Sequence, residues 1–305
     1  MSMTALKAYL GERLLYDEPL SKYTAARLGG AADFLCVVKD SVDDLIEIVT
    51  LAWAADLPVH IMGGGANVLV SDQGVRGLVV INHVSEIRTG DWHDGRTVSA
   101  TSGVSLTVLA NKCQTMGYSG FEWAISVPGT IGGAIVNNAG AHGADMAQSI
   151  ADVVVLEREK GVQLYTVNDL AYGYRTSMLK AREHGSFLVL LTTLILPPDD
   201  PKVIKARMET FRNHRKETQP SGASLGSIFK NPEGDYAGRL IESAGLKGYK
   251  IGNAMVSPIH ANFFINDGGQ ATATDYFALI KHVQDSVEVQ TGIRLEPEIQ
   301  FVGIW

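Results

Sequence analysis

The sequence predicts an α+β protein of two domains, parted near residue 200. Three observations lead there. Over the first 200 positions short apolar runs alternate irregularly with helix-spaced apolar residues, a mixed pattern rather than a regular βαβ array. Pro197-Pro198-Asp199-Asp200-Pro201 then interrupts the chain, because three prolines in five residues continue neither a helix interior nor a central strand. Finally, 305 residues exceed what one hydrophobic core usually serves.

Ser41-Val-Asp-Asp44 offers a cap and early acidic residues to a helix whose Leu45, Ile48, Val49 and Trp53 recur at helical spacing. Val59–Met62 is a predicted strand running into Gly63-Gly64-Gly65, and Gly77–Ile81 and Thr97–Thr101 are two more. A helix is expected over Val104–Met116, then strands at Asp152–Leu156, Gln163–Val167 and Phe187–Leu196. Beyond the prolines a charged helix should cover Val203–Lys216, ended by Gln219-Pro-Ser-Gly222. A Gly/Ser/Asn-rich segment at 221–238, a helix near Asp275–Val289 and a terminal strand from Arg294 to Val302 complete the second domain.

Hydrophobic residues are 46% and charged residues 19%, which excludes a disordered or collagen-like chain. A formal charge of −7 argues against a broad nucleic-acid or anionic-membrane surface, while leaving room for a local phosphate pocket. Cys36 and Cys113 supply neither a disulfide framework nor a thiolate metal site, and suit a reducing cytoplasm. The eight histidines show no His-x-x-x-His spacing, so no metal is expected. Met1–Lys7 has no basic start followed by an apolar stretch, so no secretory leader is expected. The most apolar run, Phe187–Leu196, falls far short of the roughly 20 residues that span a bilayer. The expectation is a cytoplasmic protein.

Glycine is the unusual residue, at 32 of 305 positions against a typical share of about 7%. Three consecutive glycines after a strand, Gly63-Gly64-Gly65, form either a tight turn or a cradle whose N–H groups face an anion, with Asn67 and Ser71 as further donors. No Lys-Ser or Lys-Thr pair follows, and Gly-x-Gly-x-x-Gly is absent, so neither a P-loop nor a Rossmann fingerprint is present. A second cluster runs from Ser126-Val-Pro128-Gly129-Thr130 through Gly132-Gly133-Ala134 to Asn138-Ala-Gly-Ala-His-Gly143. It is poor material for a core of its own and allows close approach of a flat ligand. Two such loops suggest a dinucleotide.

These segments carry a resemblance. Gly63-Gly-Gly-Ala-Asn67 with Val70-Ser-Asp72 resembles the flavin-pyrophosphate loop of the vanillyl-alcohol-oxidase-type (PCMH-type) FAD-binding domain, and Val127–Gly133 with Asn138–Gly143 resembles its second FAD loop. Tyr174-Arg175-Thr-Ser177, Gly226-Ser227-Ile-Phe-Lys-Asn-Pro232 and Leu295-Glu-Pro-Glu298 narrow the match. In this order the five segments are similar to those of the UDP-N-acetylenolpyruvoylglucosamine reductase family, from about Tyr23 to Val302. The resemblance implies a two-lobed FAD-binding domain over 1–200, its lobes dividing near 65–70, and a smaller α+β substrate-binding domain over 201–305. It implies FAD contacts from Gly63, Gly64, Gly65, Ala66, Asn67, Val68, Leu69 and Ser71, and from Ser126, Pro128, Gly129, Thr130, Gly133, Ala134, Asn138 and Gly143. No histidine lies within Gly63–Asn67, so the flavin should be non-covalent. NADPH is the implied co-substrate, UDP-N-acetylglucosamine enolpyruvate the implied substrate, and a monomer the expected state.

The implied chemistry delivers hydride to C3 of the enolpyruvyl ether and a proton to C2. Ser227 is the implied proton donor. Arg175 would offer a planar fork of donors to the adjacent carboxylate, and Glu298, buried and neutral, would donate a hydrogen bond there. Lys230, Asn231, His260 and Asn262 are implied substrate contacts. Taken without the resemblance, Ser227 reads equally as a turn residue, Arg175 as a surface ion pair and His260 as a structural histidine. No tyrosine lies between Arg175 and Ser227, which resembles the subtype lacking a tyrosine-bearing lid. Departures from the family pattern fall at Ala26, where an aromatic is usual, at Ser126, at Leu225 and at Ile259, which replaces a frequent lysine.

Three rivals stand beside this reading. Gly222-Ala-Ser224-Leu-Gly226 matches a hydrolase nucleophile pattern, although Gln219-Pro220 precedes it and Lys230-Asn-Pro follows where a helix is needed. An FAD-linked alcohol oxidase shares the first 200 residues' logic but does not need Gly226–Pro232 or Glu298. A non-catalytic flavin or nucleotide-sugar binder is the third.

Overall fold

The structure, a computed structural model, describes residues 3–90 and 97–305. Met1 and Ser2, the start of the stretch read for a leader, lie outside the described residues. In chain order the elements begin α1 (Met3–Leu10), β1 (Leu15–Pro19), β2 (Ala31–Val38), α2 (Val42–Ala54), β3 (Val59–Met62), β4 (Val68–Val70) and β5 (Val75–Asn82). There follow β6 (Ile87–Gly90), β7 (Thr97–Thr101), α3 (Leu106–Met116), α4 (Ile131–Asn137), β8 (Gly140–Ala141) and β9 (Ala144–Asp145). Next come β10 (Ile150–Glu157), β11 (Gly161–Thr166), β12 (Phe187–Ile195) and α5 (Pro201–Thr218). The chain ends through β13 (Ser224–Ser227), α6 (Ala237–Ser243), β14 (Lys250–Ile251), β15 (Ala254–Val256), β16 (Phe263–Asn266), α7 (Ala273–Thr291) and β17 (Gln300–Val302).

Packing divides these elements into two compact units, each assembled from separate stretches. The first comprises Met1–Tyr16, Phe34–Gly64 and Gly77–Arg215; the second comprises Asp17–Asp33, Gly65–Arg76 and Lys216–Trp305. This differs from a single cut near residue 200. Helix α5, which follows the prolines, buries Ile204 and Met208 in a core of the first unit.

The first unit holds two cores. In one, α1 and α2 cover a sheet ordered β1-β2-β5-β3, and Leu6, Ile48, Leu78 and Val80 pack with Leu188 and Leu190. Helix α2 starts as predicted: the Asp44 N–H donates to Ser41 Oγ at 3.1 Å, satisfying one of the donors a helix start leaves open. Strand β3 runs parallel to β5, Val59 opposite Leu78 and Met62 opposite Ile81, and so carries the chain up to Gly63. The other core fills one face of an antiparallel sheet ordered β11-β10-β12-β7-β6. Ile131, Ala134 and Ile135 of α4 are buried there. The segment read as poor core material is therefore a helix that contributes to the core, because only its Gly132 and Gly133 lack side chains. Helix α5 begins at Pro201, two residues before the predicted start, since a proline at the first helical position gives up an N–H that has no partner anyway.

The second unit packs α6 and α7 on a sheet ordered β13-β16-β15-β14, with Leu225, Ile228, Phe229, Phe264, Tyr276 and Ile280 inside. Helix α7 opens with a reciprocal cap between Thr272 and Asp275 and closes on Gly292 at φ +73°. The terminal strand predicted from Arg294 is only β17, Gln300–Val302, paired in parallel with β4. Pro297 explains the shortfall: it has no N–H to give a ladder, and Phe229 and Pro297 form a single bridge. Among the described residues no helix is long and apolar enough to cross a membrane.

Candidate active site

In the first unit the two glycine-rich segments are neighbours. A Cβ on Gly63 would stand 2.2 Å from Thr130 Oγ1, and one on Gly64 would stand 3.5 Å from Gly129 Cα. Gly63 is thus required by the packing of Thr130, which is 9% exposed. Gly64 meets only ordinary contact and is exposed. Gly65 opens a segment of the second unit, where its φ of +57° and a Cβ position 2.1 Å from the Tyr23 carbonyl oxygen exclude any side chain.

Arg175 also lies in the first unit, on a two-residue turn closed by Gly173 and Thr176, whose N–H groups each donate to the other's carbonyl at 3.1 and 3.3 Å. Its φ is +56°, a left-handed conformation that costs a side-chain-bearing residue roughly 1–2 kcal/mol. The guanidinium is held by carbonyls: Nη2 donates to Gly140 O at 2.6 Å and Nη1 to Asn138 O at 3.4 Å. Tyr174 places its ring centroid 5.3 Å from the guanidinium carbon, and Lys180 Nζ donates to the Arg175 carbonyl at 3.1 Å. Asn138 is 3% exposed and its side-chain donors are engaged, with Gly173 O at 3.0 Å and Asp145 Oδ2 at 3.3 Å.

Between β8 and β9, the His142 ring stacks on Phe211 at 4.2 Å, and its Nε2 is buried without a hydrogen-bond partner. Burial, and then Arg215 and His214, push the His142 imidazole below its ordinary value. Burial likewise lowers the Arg215 guanidinium. The sequence reading quoted His142 only as part of Asn138–Gly143 and gave Arg215 no role, because Arg-Lys-Glu-Thr carries no motif.

The second unit joins the strand of Ser227 to the segment of Glu298. Ser224 pairs with Ile265 and Ser227 with Phe263, so one extra residue bulges between them at Gly226, whose φ is +74°. A bulge breaks the alternation of a strand and re-aims the residue that follows. The next residue, Ile228, accepts the Glu298 N–H at 2.8 Å. Asn67 joins them: its Nδ2 donates to the Glu298 carbonyl at 3.4 Å and its own carbonyl accepts the Gln300 N–H at 2.9 Å. Three separate sequence segments therefore meet at one place in this unit.

The remaining predicted contacts divide. Lys230 Nζ pairs with Glu296 Oε1 at 2.5 Å. Asn231 Oδ1 accepts the Ala237 N–H at 3.1 Å and so caps α6. Asn262 is 3% exposed and brackets Phe229, accepting its N–H at 2.9 Å and donating to its carbonyl at 2.8 Å. His260 Nδ1 accepts the Asn262 N–H at 3.2 Å, and burial lowers its imidazole. Ser71 Oγ donates to Ile304 O at 2.5 Å. Leu69 and Ala134 put their side chains in the cores. Ala26, noted for its missing aromatic, is fully buried. Ser224 opens a paired strand, with no helix after it, so the hydrolase pattern has no nucleophile elbow.

Two family models match the chain: the C-terminal domain of UDP-N-acetylenolpyruvoylglucosamine reductase over residues 218–302, and an FAD binding domain over residues 35–157. UDP-N-acetylenolpyruvoylglucosamine reductase 2 of Symbiobacterium thermophilum is 42% identical over 296 residues, 95% of this chain and 92% of its own. This chain belongs to the UDP-N-acetylenolpyruvoylglucosamine reductase family. The family's protein from Rubrobacter xylanophilus is 40% identical and covers 94% of this chain and 95% of its own. The crystal structure of the reductase from Thermus caldophilus has a TM-score of 0.79 at 30% identity, over 95% of this chain and 98% of that one. As a member of this reductase family, the protein is an FAD-dependent oxidoreductase with the two-domain α+β fold.

The residues fit a reductase's flavin. Gly133, in the first turn of α4, has no heavy atom within 4 Å of the place a Cβ would take. A helical glycine costs about 1 kcal/mol relative to alanine, and no neighbouring protein atom requires this one. Ser126 Oγ and Trp123 Nε1 are buried without a hydrogen-bond partner in the protein. Buried polar atoms of this kind call for a ligand's polar groups. Cys36 and Cys113 are buried free cysteines whose thiols are pushed up to about 12 by that burial.

Proposed function

We propose that this reductase converts UDP-N-acetylglucosamine enolpyruvate to UDP-N-acetylmuramate with NADPH, in the cytoplasmic synthesis of peptidoglycan precursors. The observation that carries the reading is the meeting in the second unit of the segments that bear Ser227, Glu298 and Asn67, linked by the 2.8 Å bond from Glu298 N–H to Ile228 O and the 3.4 Å bond from Asn67 to Glu298 O. FAD, when bound, would take hydride from NADPH and supply it to C3 of the enolpyruvyl ether. The residues proposed to hold it non-covalently are the first glycine loop, Gly63–Leu69 with Ser71, and the second, Ser126, Pro128, Gly129 and Thr130 with Gly133, Ala134, Asn138 and Gly143. With the side chains of Ser71, Leu69, Ala134 and Asn138 committed inside the protein, those four residues would act through their backbone.

The chain's own residues do the rest. Hydride addition at C3 leaves negative charge at C2 and on the adjacent carboxylate. Arg175 would meet that carboxylate with a fixed charge, an interaction that strengthens as the charge develops. Ser227 would give its hydroxyl proton to C2, whose carbanion character makes it a stronger base than the serine alkoxide left behind, and that alkoxide would regain a proton from solvent. Glu298, adjacent in space to the Ser227 strand, would act as a neutral donor to the developing enolate, since an anion there would repel it. Lys230 would bring a positive charge to the substrate's diphosphate, with Asn231 beside it. The protein is proposed to work as a monomer, NADPH and the sugar nucleotide using one pocket in turn.

An anaerobic visible spectrum tests this directly. Bleaching of bound flavin by NADPH, followed by its recovery on adding UDP-N-acetylglucosamine enolpyruvate, is the expected result. Bleaching without recovery discards the substrate; a protein that binds no FAD discards the whole reading.

A further inference from the structure

We propose that Asn138 is a positioning residue for Arg175, acting on both the root and the tip of that side chain. The inference rests on the carboxylate-binding role given to Arg175 above. At the tip, the carbonyls of Asn138 and Gly140 accept from the two terminal guanidinium nitrogens, at 3.4 and 2.6 Å. At the root, Asn138 Nδ2 donates at 3.0 Å to the carbonyl of Gly173, one of the two residues that close the turn carrying Arg175. The same amide is anchored in turn. Its Oδ1 accepts the Ala147 N–H at 3.1 Å and its Nδ2 also meets Asp145 Oδ2 at 3.3 Å.

Asp145 is the cross-strand partner of Gly140 in the hairpin β8–β9. No side chain fits at Gly140, where a Cβ would lie 2.4 Å from the Ala144 carbonyl oxygen, so the close pairing of this hairpin depends on glycine. One side chain thus ties the turn that sets the Arg175 backbone to the hairpin that sets its guanidinium. That tie explains how an arginine stays at φ +56°, a conformation that persists only where its surroundings over-determine it. The bland alternative is that Asn138 merely ends α4, whose C-cap it is at φ +45°. Asparagine is the usual non-glycine residue for that conformation.

Asn138→Gly separates the two, because glycine keeps the left-handed cap and removes every side-chain tie. Each half-reaction is followed by stopped-flow flavin absorbance, with FAD affinity measured by fluorescence titration. The expected result is that reoxidation by UDP-N-acetylglucosamine enolpyruvate slows about 10–100-fold, the loss that a displacement near 1 Å brings. Because the Asn138 backbone is itself proposed to contact FAD, both half-reactions are compared at saturating FAD, where reoxidation should slow more than reduction by NADPH. In an Arg175→Ala background the same substitution should change reoxidation by less than about twofold, since a residue acting through Arg175 has nothing left to position.

Full additivity of the two substitutions, or weakened FAD binding as the sole effect, overturns the proposal. Asp145→Ala is the second variant should Asn138→Gly not fold. It removes the acceptor at Asn138 Nδ2 and should slow reoxidation in the same direction and with the same dependence on Arg175; independence from Arg175 counts against the idea equally. If Arg175→Ala itself leaves reoxidation fast, the underlying role of Arg175 has failed, an outcome distinct from additivity.

Discussion

Three adjacent alanine substitutions should fail in three different ways. A methyl at Gly63 would stand 2.2 Å from Thr130 Oγ1, 2.9 Å from its Cγ2 and 3.1 Å from its Cβ. Thr130 is buried, so it cannot swing aside, and overpacking of this kind costs about 1–3 kcal/mol. At Gly65 the clash with a backbone oxygen at 2.1 Å adds to the left-handed φ of +57°, a further roughly 1–2 kcal/mol, making it the most damaging of the three. Gly64 is the informative one. Its nearest neighbour would be 3.5 Å away and its φ is not left-handed. Alanine there should leave the flavin-free protein unchanged or stabilise it by up to about 0.4–1 kcal/mol through the unfolded chain. Yet if FAD packs on the backbone of that exposed glycine, its affinity should fall about 10–100-fold, or about 1.4–2.8 kcal/mol. Thermal melts of the apoprotein and fluorescence titrations with FAD separate stability from binding. Thr130→Ala should partly restore Gly63→Ala, because it leaves only the Cβ at 3.1 Å. Wild-type FAD affinity in Gly64→Ala would refute the reasoning, as would the same melting temperature in all three.

Replacing Ser227 by alanine should leave NADPH reduction of the flavin intact and slow reoxidation by substrate by orders of magnitude; equal slowing of both halves counts against a proton donor. Glu298→Gln should retain more turnover than Glu298→Ala, and the reverse order would remove the neutral-donor argument. Asn262→Ala should lower the melting temperature, since it strands the buried N–H and carbonyl of Phe229, each worth about 1–3 kcal/mol when unpaired; an unchanged melt contradicts the assigned tie. Burial lowers the imidazoles of His60 and His260. The unfolded chain therefore takes up more protons than the folded one below the ordinary histidine value of about 6.5, and stability should fall as pH drops from there through the lower folded values. Melts between neutral pH and mild acid should show that fall, reduced in His60→Gln and His260→Gln; a fall of the same size in both variants would assign it elsewhere.

Local patterns were legible where one element satisfies itself. The cap at Ser41, the strand Val59–Met62 and the strand Thr97–Thr101 lie where the spacing predicts them. Helix α4 was hidden because its two glycines read as loop, although Ile131 and Ile135 are fully buried. At the candidate site, motif spacing identified the segments that converge. It did not distinguish a residue whose side chain faces a ligand from one that braces its neighbours. Asn262, expected at the substrate, brackets Phe229, and Ser71, expected at the flavin, ties down Ile304. Polar residues beside a site are used both ways, and only three-dimensional partners tell them apart.

The interleaving of the two units was beyond sequence reach for a related reason. Val68–Val70 pairs in parallel with Gln300–Val302, and Leu69 packs with Leu225 and Ile228. No local periodicity encodes a partner more than two hundred residues away, and a short apolar run satisfies either unit equally well. The consequence is chemical as well as topological. The chain leaves the first unit at Gly64 and reaches Asn67 in the second, so the loop that carries the flavin signature ends on a side chain bonded to Glu298. A substitution at Asn67 should therefore disturb reoxidation by substrate along with FAD affinity, whereas one at Gly64 should disturb FAD affinity alone. Titrations and half-reaction rates on Asn67→Ala and Gly64→Ala decide it, and identical profiles for the two would mean that the Asn67–Glu298 bond has no part in the chemistry.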